Sequence, residues 1–200
     1  SPSIDFGMPG TYSADLLVTN GPGCKSTFSA GDAVVHPKPV AEFPQGLATC
    51  LEDAIFFTDL SQITPITDDV ITDWNWDFDD GNSSSAIAPY HIYSSHDLYD
   101  VALTVTTNHG CNHTATHVVE IYPLPAVNFI ADPPQGCVPL AVQFVDQTSI
   151  PSPYTLQSWS WDLGIDSTTS TSPSPFLVFN PELEPMDIAQ FDIQLTVTST

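Results

Sequence analysis

The chain has almost no positive charge. Its 200 residues include two Lys or Arg residues against 24 Asp or Glu residues, a formal net charge of −22. Proteins bind phosphate backbones and anionic lipids mainly through Lys and Arg, so this composition argues against nucleic acids and membrane surfaces as partners. The acidic surface suits a solvated, secreted protein, and a second interpretation is that it attracts divalent cations.

Long apolar runs, helical periodicity and catalytic motifs are also missing. No stretch of 18 apolar residues occurs, so we expect no membrane insertion. No nucleophile-elbow, phosphate-loop or H-E-x-x-H pattern is present, and we expect neither enzymatic activity nor an organic cofactor. The chain is nevertheless 42% hydrophobic and 10% aromatic, which is enough to build packed cores despite 19 prolines.

The most informative stretch is an alternation of aromatic and polar residues at Trp74, Trp76 and Phe78. A period of two predicts a strand with one buried face, and the following Asp-Asp-Gly-Asn sequence predicts a tight turn. The motif returns 85 residues later as Trp159 and Trp161. These five residues are the predicted core motif of a repeated β-domain.

Other markers recur with nearly the same period. Cys24 and Cys111 are 87 residues apart, as are Cys50 and Cys137. A period shared by independent markers predicts tandem domains. We assign the C-terminal half of one repeat to residues 1–38, a complete repeat to 39–122, and a repeat lacking its last strand to 123–200.

These boundaries predict an elongated rod cut from a longer protein. The junctions read Pro-x-Pro at 37–39 and 123–125, which favours short, semi-rigid linkers between neighbouring repeats. The alternative to a segment cut from a longer protein is that neighbouring chains supply the missing strands by β-addition.

Short alternating segments with frequent turn signals predict an all-β sandwich in the complete repeat. Its first strand is expected at residues 40–43. The clearest strand places Tyr99, Val101, Leu103 and Val105 on one face.

Together these motifs resemble the PKD (polycystic kidney disease) domain. The match runs through Trp74-x-Trp76-Asp77-Phe78-x-Asp80-Gly81, then residues 89–93 (PYHIY), residues 99–106 (YDVALTVT) and residues 108–111 (NHGC). The sequence departs from the family pattern at Asp79, where the family has Gly.

The resemblance implies tandem immunoglobulin-like sandwiches, with roles in spacing, adhesion or contact with carbohydrate and protein. The Gly-Cys and Asn-x-Gly-Cys features with Pro-Leu-Pro linkers are similar to giant surface proteins of Bacteroidota, which are often exported by the type IX system. Some domains of this family bind calcium.

Calcium is therefore the one cofactor considered, at Asp77, Asp79 and Asp80. Carboxylates near a turn can supply oxygen ligands, but the spacing is not that of a calcium-binding loop. The alternative is that Asp77 and Asp80 accept backbone N–H groups within the turn. Asp68 and Asp69 form a second acidic pair, which we expect to be solvated.

Three histidines follow one another at four-residue intervals: His109, His113 and His117. On a strand, four residues span about 13 Å, so the three side chains are too far apart to share a zinc ion.

The cysteines fit an oxidising compartment. The disulfide candidates are Cys24, Cys50, Cys111 and Cys137. Cys50 and Cys111 could pair within the complete repeat, or each could pair with a cysteine of a neighbouring repeat outside this sequence. Spacing does not decide between these pairings.

We therefore expect a non-enzymatic, extracellular segment of a large surface protein. It would act as a stalk, fibre or appendage and could assemble into filaments for adhesion, gliding or capture. Its partners would be neighbouring repeats or further copies. The alternative is a module that binds polysaccharide or a partner protein and is accessory to a secreted hydrolase.

Overall fold

The structure is a computed structural model that describes residues 3–164, 168–179 and 191–200. Every regular element in these ranges is a β-strand, which confirms the predicted all-β class. Across the same ranges no helix has the length and apolarity needed to cross a bilayer. The strands are β1 Gly10–Thr19, β2 Lys25–Val35, β3 Ala48–Cys50, β4 Ile55–Phe56, β5 Ile71–Asp77, β6 Ser83–Ser84, β7 Tyr90–His91, β8 Leu98–Thr107, β9 Asn112–Tyr122, β10 Phe129–Asp132, β11 Leu140–Asp146, β12 Leu156–Asp162, β13 Thr169–Ser170, β14 Phe176–Phe179 and β15 Gln194–Ser199.

The chain divides into two compact units, Ser1–Ile121 and Tyr122–Thr200. In the first unit, β1 and β2 form an antiparallel hairpin. The following strands form a five-stranded sheet in the order β3-β9-β8-β5-β6 and a two-stranded sheet, β4-β7.

The core of the first unit is built by the alternation seen in the sequence. Along β8, Tyr99, Val101, Leu103 and Val105 are all buried, while the residues between them are more exposed. Trp76 on the neighbouring strand β5 has 0% of its surface exposed. Phe43 and Phe57 pack against Trp76, with ring centroids 5.2 and 5.4 Å from that of Trp76. Removing this apolar area from water is the main stabilising contribution.

Two parts of this unit differ from the sequence-based prediction. The strand expected at residues 40–43 is reduced to a single bridge between Val40 and Gln62. The short strand β3 was not predicted, because its stability comes from pairing with β9 rather than from any pattern of its own. The backbone N–H of Glu120 donates to the carbonyl of Leu47 at this edge.

The second unit contains two three-stranded sheets, β10-β11-β14 and β13-β12-β15. Strand β12 carries Trp159 and Trp161 and pairs with β13 and β15, as β5 pairs with β6 and β8. Both tryptophan strands have a register shift near their start, at Ile71/Asp73 in β5 and at Leu156/Ser158 in β12.

Candidate functional site

The tryptophan motif forms the centre of each unit's core. Trp76 and Trp161 are fully buried, and their indole N–H groups donate to the carbonyls of Ala86 and Ser172 at 3.0 and 2.8 Å. Phe78 is buried beside Trp76. The motif therefore stabilises the fold instead of forming an open binding surface.

The outer tryptophan of each pair makes a second recurring contact. Trp74 donates its indole N–H to a carboxylate oxygen of Asp59 at 2.7 Å. Trp159 donates to Asp146 at the same distance. Both contacts connect the tryptophan strand to a residue on the opposite side of the sandwich core, shortly after β4 and at the end of β11.

In the acidic turn after β5, carboxylates accept hydrogen bonds from backbone N–H groups of the same turn. Asp77 Oδ1 accepts the N–H of Asp79 at 3.0 Å, and Asp80 Oδ1 accepts the N–H of Asn82 at 3.0 Å. Asp79 Oδ2 reaches further and accepts the N–H of Asp100 at 2.9 Å. These contacts agree with the turn interpretation, and calcium at Asp77, Asp79 and Asp80 stays a prediction.

Asp79 also has a backbone angle φ of 63°, in the left-handed region that favours glycine. The equivalent position in the second unit is Gly164, with φ of 70°. Its N–H donates to Asp162 Oδ1 at 3.0 Å, as the N–H of Asp79 donates to Asp77. The departure from the family pattern at Asp79 therefore leaves the turn geometry unchanged.

A different cluster, formed by His36, Asp69 and His109, lies at the other end of strand β5 from the acidic turn. His36 Nδ1 is 2.7 Å from Asp69 Oδ1, and His109 Nε2 is 4.0 Å from the same oxygen. The two imidazole rings stack, with centroids 3.5 Å apart and planes inclined by 11°. Asp68 Oδ1 lies 3.0 Å from His109 Nε2.

Asp69 is the residue around which this cluster is built. We expected it to be solvated with Asp68, but this was wrong for Asp69, whose side chain is 0% exposed. Burial alone would raise its pKa. Backbone N–H groups of Ile66 and Thr67 and the neighbouring His36 outweigh burial and lower the pKa of Asp69 to about 2. The carboxylate is therefore ionised at neutral pH.

The three spaced histidines have separate partners, as the strand spacing predicts. His109 belongs to the cluster just described. His113 Nδ1 accepts the backbone N–H of Ala41 at 3.0 Å, and His117 Nε2 is 2.6 Å from Glu42 Oε1. Sequence reasoning missed the partners of His109 because His36, Asp69 and His109 are far apart along the chain.

The structure forms no disulfide among Cys24, Cys50, Cys111 and Cys137. Cys111 lies next to the turn between β8 and β9, whereas Cys50 ends β3, which pairs with β9 farther from that turn. The carbonyl of Leu47, three residues before Cys50, pairs with Glu120. At about 3.3 Å per residue, Cys50 is then on the order of 20 Å from Cys111. A disulfide needs Cα atoms within about 7 Å. Pairing with neighbouring repeats stays a prediction.

These features define an immunoglobulin-like β-sandwich with an aromatic core. The family model described as PKD domain matches residues 36–121. Residues 36–121 therefore belong to the PKD domain family, which confirms the resemblance over this range.

Known proteins similar to this chain include domains from Vibrio. The PKD1 domain of Vibrio anguillarum Epp is 30% identical, over 44% of this chain and 96% of that domain, with a TM-score of 0.38. The PKD1 domain of the Vibrio cholerae metalloprotease PrtV is 28% identical, over 42% and 96%, with a TM-score of 0.36. A microbial collagenase of Vibrio alginolyticus is 42% identical over 62 residues. The match spans 31% of this chain and 7% of that collagenase.

Proposed function

We propose that this chain is a structural segment of a large extracellular surface protein, in which PKD-type repeats form a stalk, fibre or appendage. The observation that carries the proposal is the recurrence of one core in two units. In both, the inner tryptophan is fully buried and the outer one donates to an aspartate at 2.7 Å.

This recurrence supports treating the second unit as another PKD-type repeat. Phe129 packs edge-on against Trp161 at 5.0 Å, as Phe43 packs against Trp76 at 5.2 Å. Proteins that repeat one sandwich in tandem obtain length from identical modules, each with its own core. Such modules can place adhesive parts far from the cell surface while remaining individually stable.

The charge of the chain suits this role. With a net charge of −22, segments repel one another at low salt and remain soluble at high local concentration. Cations that screen or bridge the acidic surfaces would then let segments associate side by side into filaments.

Electron microscopy of the full-length protein tests this proposal. Rods or filaments with a repeat of one domain length are the expected result. A protein in which one such domain is attached to a compact catalytic body would overturn the stalk role.

A second candidate is a binding module accessory to a secreted hydrolase. Its support is the similarity of 62 residues to a collagenase, together with an exposed aromatic pair on β4 and β7. Phe56 is 70% exposed and Tyr90 65% exposed, with ring centroids 6.1 Å apart. Exposed rings of this kind can bind sugar rings or apolar side chains of a protein fibre.

Co-sedimentation with insoluble polysaccharide and with collagen fibrils tests the second candidate. If the aromatic pair binds, Phe56→Ala with Tyr90→Ala reduces the sedimented fraction. Leu60→Ala is the matched control, because Leu60 is also exposed and apolar. Equal sedimentation of the wild type, the double variant and the control would remove this candidate.

A further inference from the structure

We propose that His36, Asp69 and His109 form a binding site for Zn²⁺. The three residues come from separate parts of the first unit: His36 directly follows β2, Asp69 lies in the loop before β5, and His109 lies in the turn between β8 and β9. Their potential ligand atoms all lie within 4.8 Å of one another. This inference is independent of the stalk role.

The carboxylate of Asp69 is held in the orientation that a ligand needs. Its Oδ2 accepts the backbone N–H groups of Ile66 and Thr67 at 3.0 and 3.1 Å. Its Oδ1 faces the imidazole of His36 at 2.7 Å. Metal sites commonly use such outer hydrogen bonds to fix a ligating carboxylate.

The loop that carries His109 is also held in place. The side chain of Asn108 accepts the N–H of Val70 at 3.1 Å and donates to the carbonyl of Asp68 at 2.9 Å. The N–H of Asn108 donates to the carbonyl of Val70 at 3.0 Å. The β8–β9 turn and the loop before β5 are therefore joined directly beside the cluster.

The distances suit a tetrahedral ion. Zinc bonds of about 2.0–2.1 Å place neighbouring ligand atoms about 3.3 Å apart. The distances from Asp69 Oδ1 to the two imidazole nitrogens, 2.7 and 4.0 Å, lie on either side of this value. The rings stack nearly parallel, so binding requires one imidazole to turn until both nitrogen lone pairs converge on the ion.

The donor set selects zinc over calcium. Two imidazole nitrogens and one carboxylate form a set found around zinc, whereas calcium takes six to eight oxygens. Asp68 Oδ1 lies 3.0 Å from His109 Nε2 on an exposed side chain, but it is not one of the three groups whose ligand atoms all lie within 4.8 Å of one another.

Binding needs a free lone pair on His36 Nδ1. In the metal-free arrangement this nitrogen is hydrogen-bonded to Asp69 Oδ1 at 2.7 Å. Zn²⁺ takes the place of the hydrogen between these two atoms, and the neutral imidazole then carries its hydrogen on Nε2 instead of Nδ1. The ion would then join the segment after β2 to the two loops at this end of the PKD domain.

Isothermal titration of the metal-free chain with ZnCl₂ measures the affinity and the stoichiometry. We expect one ion per chain. His36→Ala and His109→Ala should each weaken binding by roughly 10- to 100-fold or more. His96→Ala is the matched control, because His96 is exposed and lies outside the cluster.

Substitution with Co²⁺ adds a readout of geometry, since tetrahedral Co²⁺ bound to nitrogen and oxygen has a characteristic visible absorption. The wild type and His96→Ala should show this spectrum, and the two cluster variants should lose it. Circular dichroism confirms that each variant is folded. The proposal is overturned if folded wild type binds no zinc, if His36→Ala and His109→Ala bind it as tightly as His96→Ala, or if calcium competes equally.

Discussion

Asp80 shows how a single side chain organises the turn after the tryptophan strand. Its Oδ2 lies 2.7 Å from His91 Nε2, and its Oδ1 accepts the N–H of Asn82. The ring of His91 stacks on Phe78, with centroids 4.2 Å apart and planes within 4°. Burial alone would raise the pKa of Asp80, but His91 and Asn82 outweigh it and lower the pKa below 3.8. The turn is therefore attached to the core through an ionised carboxylate.

This pKa shift predicts a pH-dependent stability. Because the folded pKa is lowered, the stabilisation is present above the ordinary value of 3.8 and is lost as pH falls through the folded value. Asp80→Asn should lower the free energy of unfolding by about 1–2 kcal/mol at neutral pH. Urea unfolding across the acid range should show this difference shrinking. Asp53→Asn, at an exposed carboxyl, is the control; a difference that is constant with pH would contradict the role of Asp80.

At the scale of the element, strand β5 carries two tryptophans with different structural roles. Trp76 faces the core and is fully buried, whereas Trp74 is half-buried and reaches Asp59 through its indole N–H. The same division occurs on β12 between Trp161 and Trp159. On each strand the inner tryptophan therefore packs in the core, and the hydrogen bond of the outer tryptophan links the strand to the other side of the sandwich.

Substitutions on β5 should distinguish the stability contributed by core packing from that contributed by the indole hydrogen bond. Trp76→Ala removes a fully buried ring and should lower the free energy of unfolding by about 3–5 kcal/mol. Trp74→Phe keeps an aromatic ring but removes the indole N–H from Asp59 Oδ2, while Oδ1 keeps the N–H of Ser61, and should cost about 1–2 kcal/mol. Chemical denaturation measures both. A smaller loss for Trp76→Ala than for Trp74→Phe would show that the core is not centred on Trp76.

At the scale of the whole molecule, charge is the dominant property. With a net charge of −22 on 200 residues, the acidic side chains repel one another in the folded state, and this repulsion is stronger at low ionic strength. The melting temperature should therefore rise by several degrees when NaCl increases from roughly 20 to 300 mM, because salt screens this repulsion. Differential scanning calorimetry measures the change, and a melting temperature independent of salt would contradict it.

Calcium at matched ionic strength separates screening from specific binding. If Asp77, Asp79 and Asp80 bind calcium, its addition should raise the melting temperature beyond the NaCl value, and Asp77→Asn should abolish the extra rise. Mg²⁺ at the same ionic strength is the control for a general divalent effect. Equal melting temperatures in calcium, magnesium and NaCl would remove the calcium prediction.

The sequence alone determined the all-β class, the buried face of β8 and the tryptophan core, because alternation along a strand directly records which face is buried. It also indicated the PKD family, since aromatic motif and turn residues recur at characteristic spacing. These features depend on residues that are close together along the chain, so the sequence pattern is enough to predict them.

Only the tertiary structure decided the contacts between distant segments. It paired β3 with β9 and buried Asp69 beside the stacked rings of His36 and His109, which lie 33 residues before and 40 residues after it. No local pattern records these contacts, because they arise when loops at one end of the sheets converge. The physical reason is that strand order and loop path, not periodicity, determine which polar side chains meet.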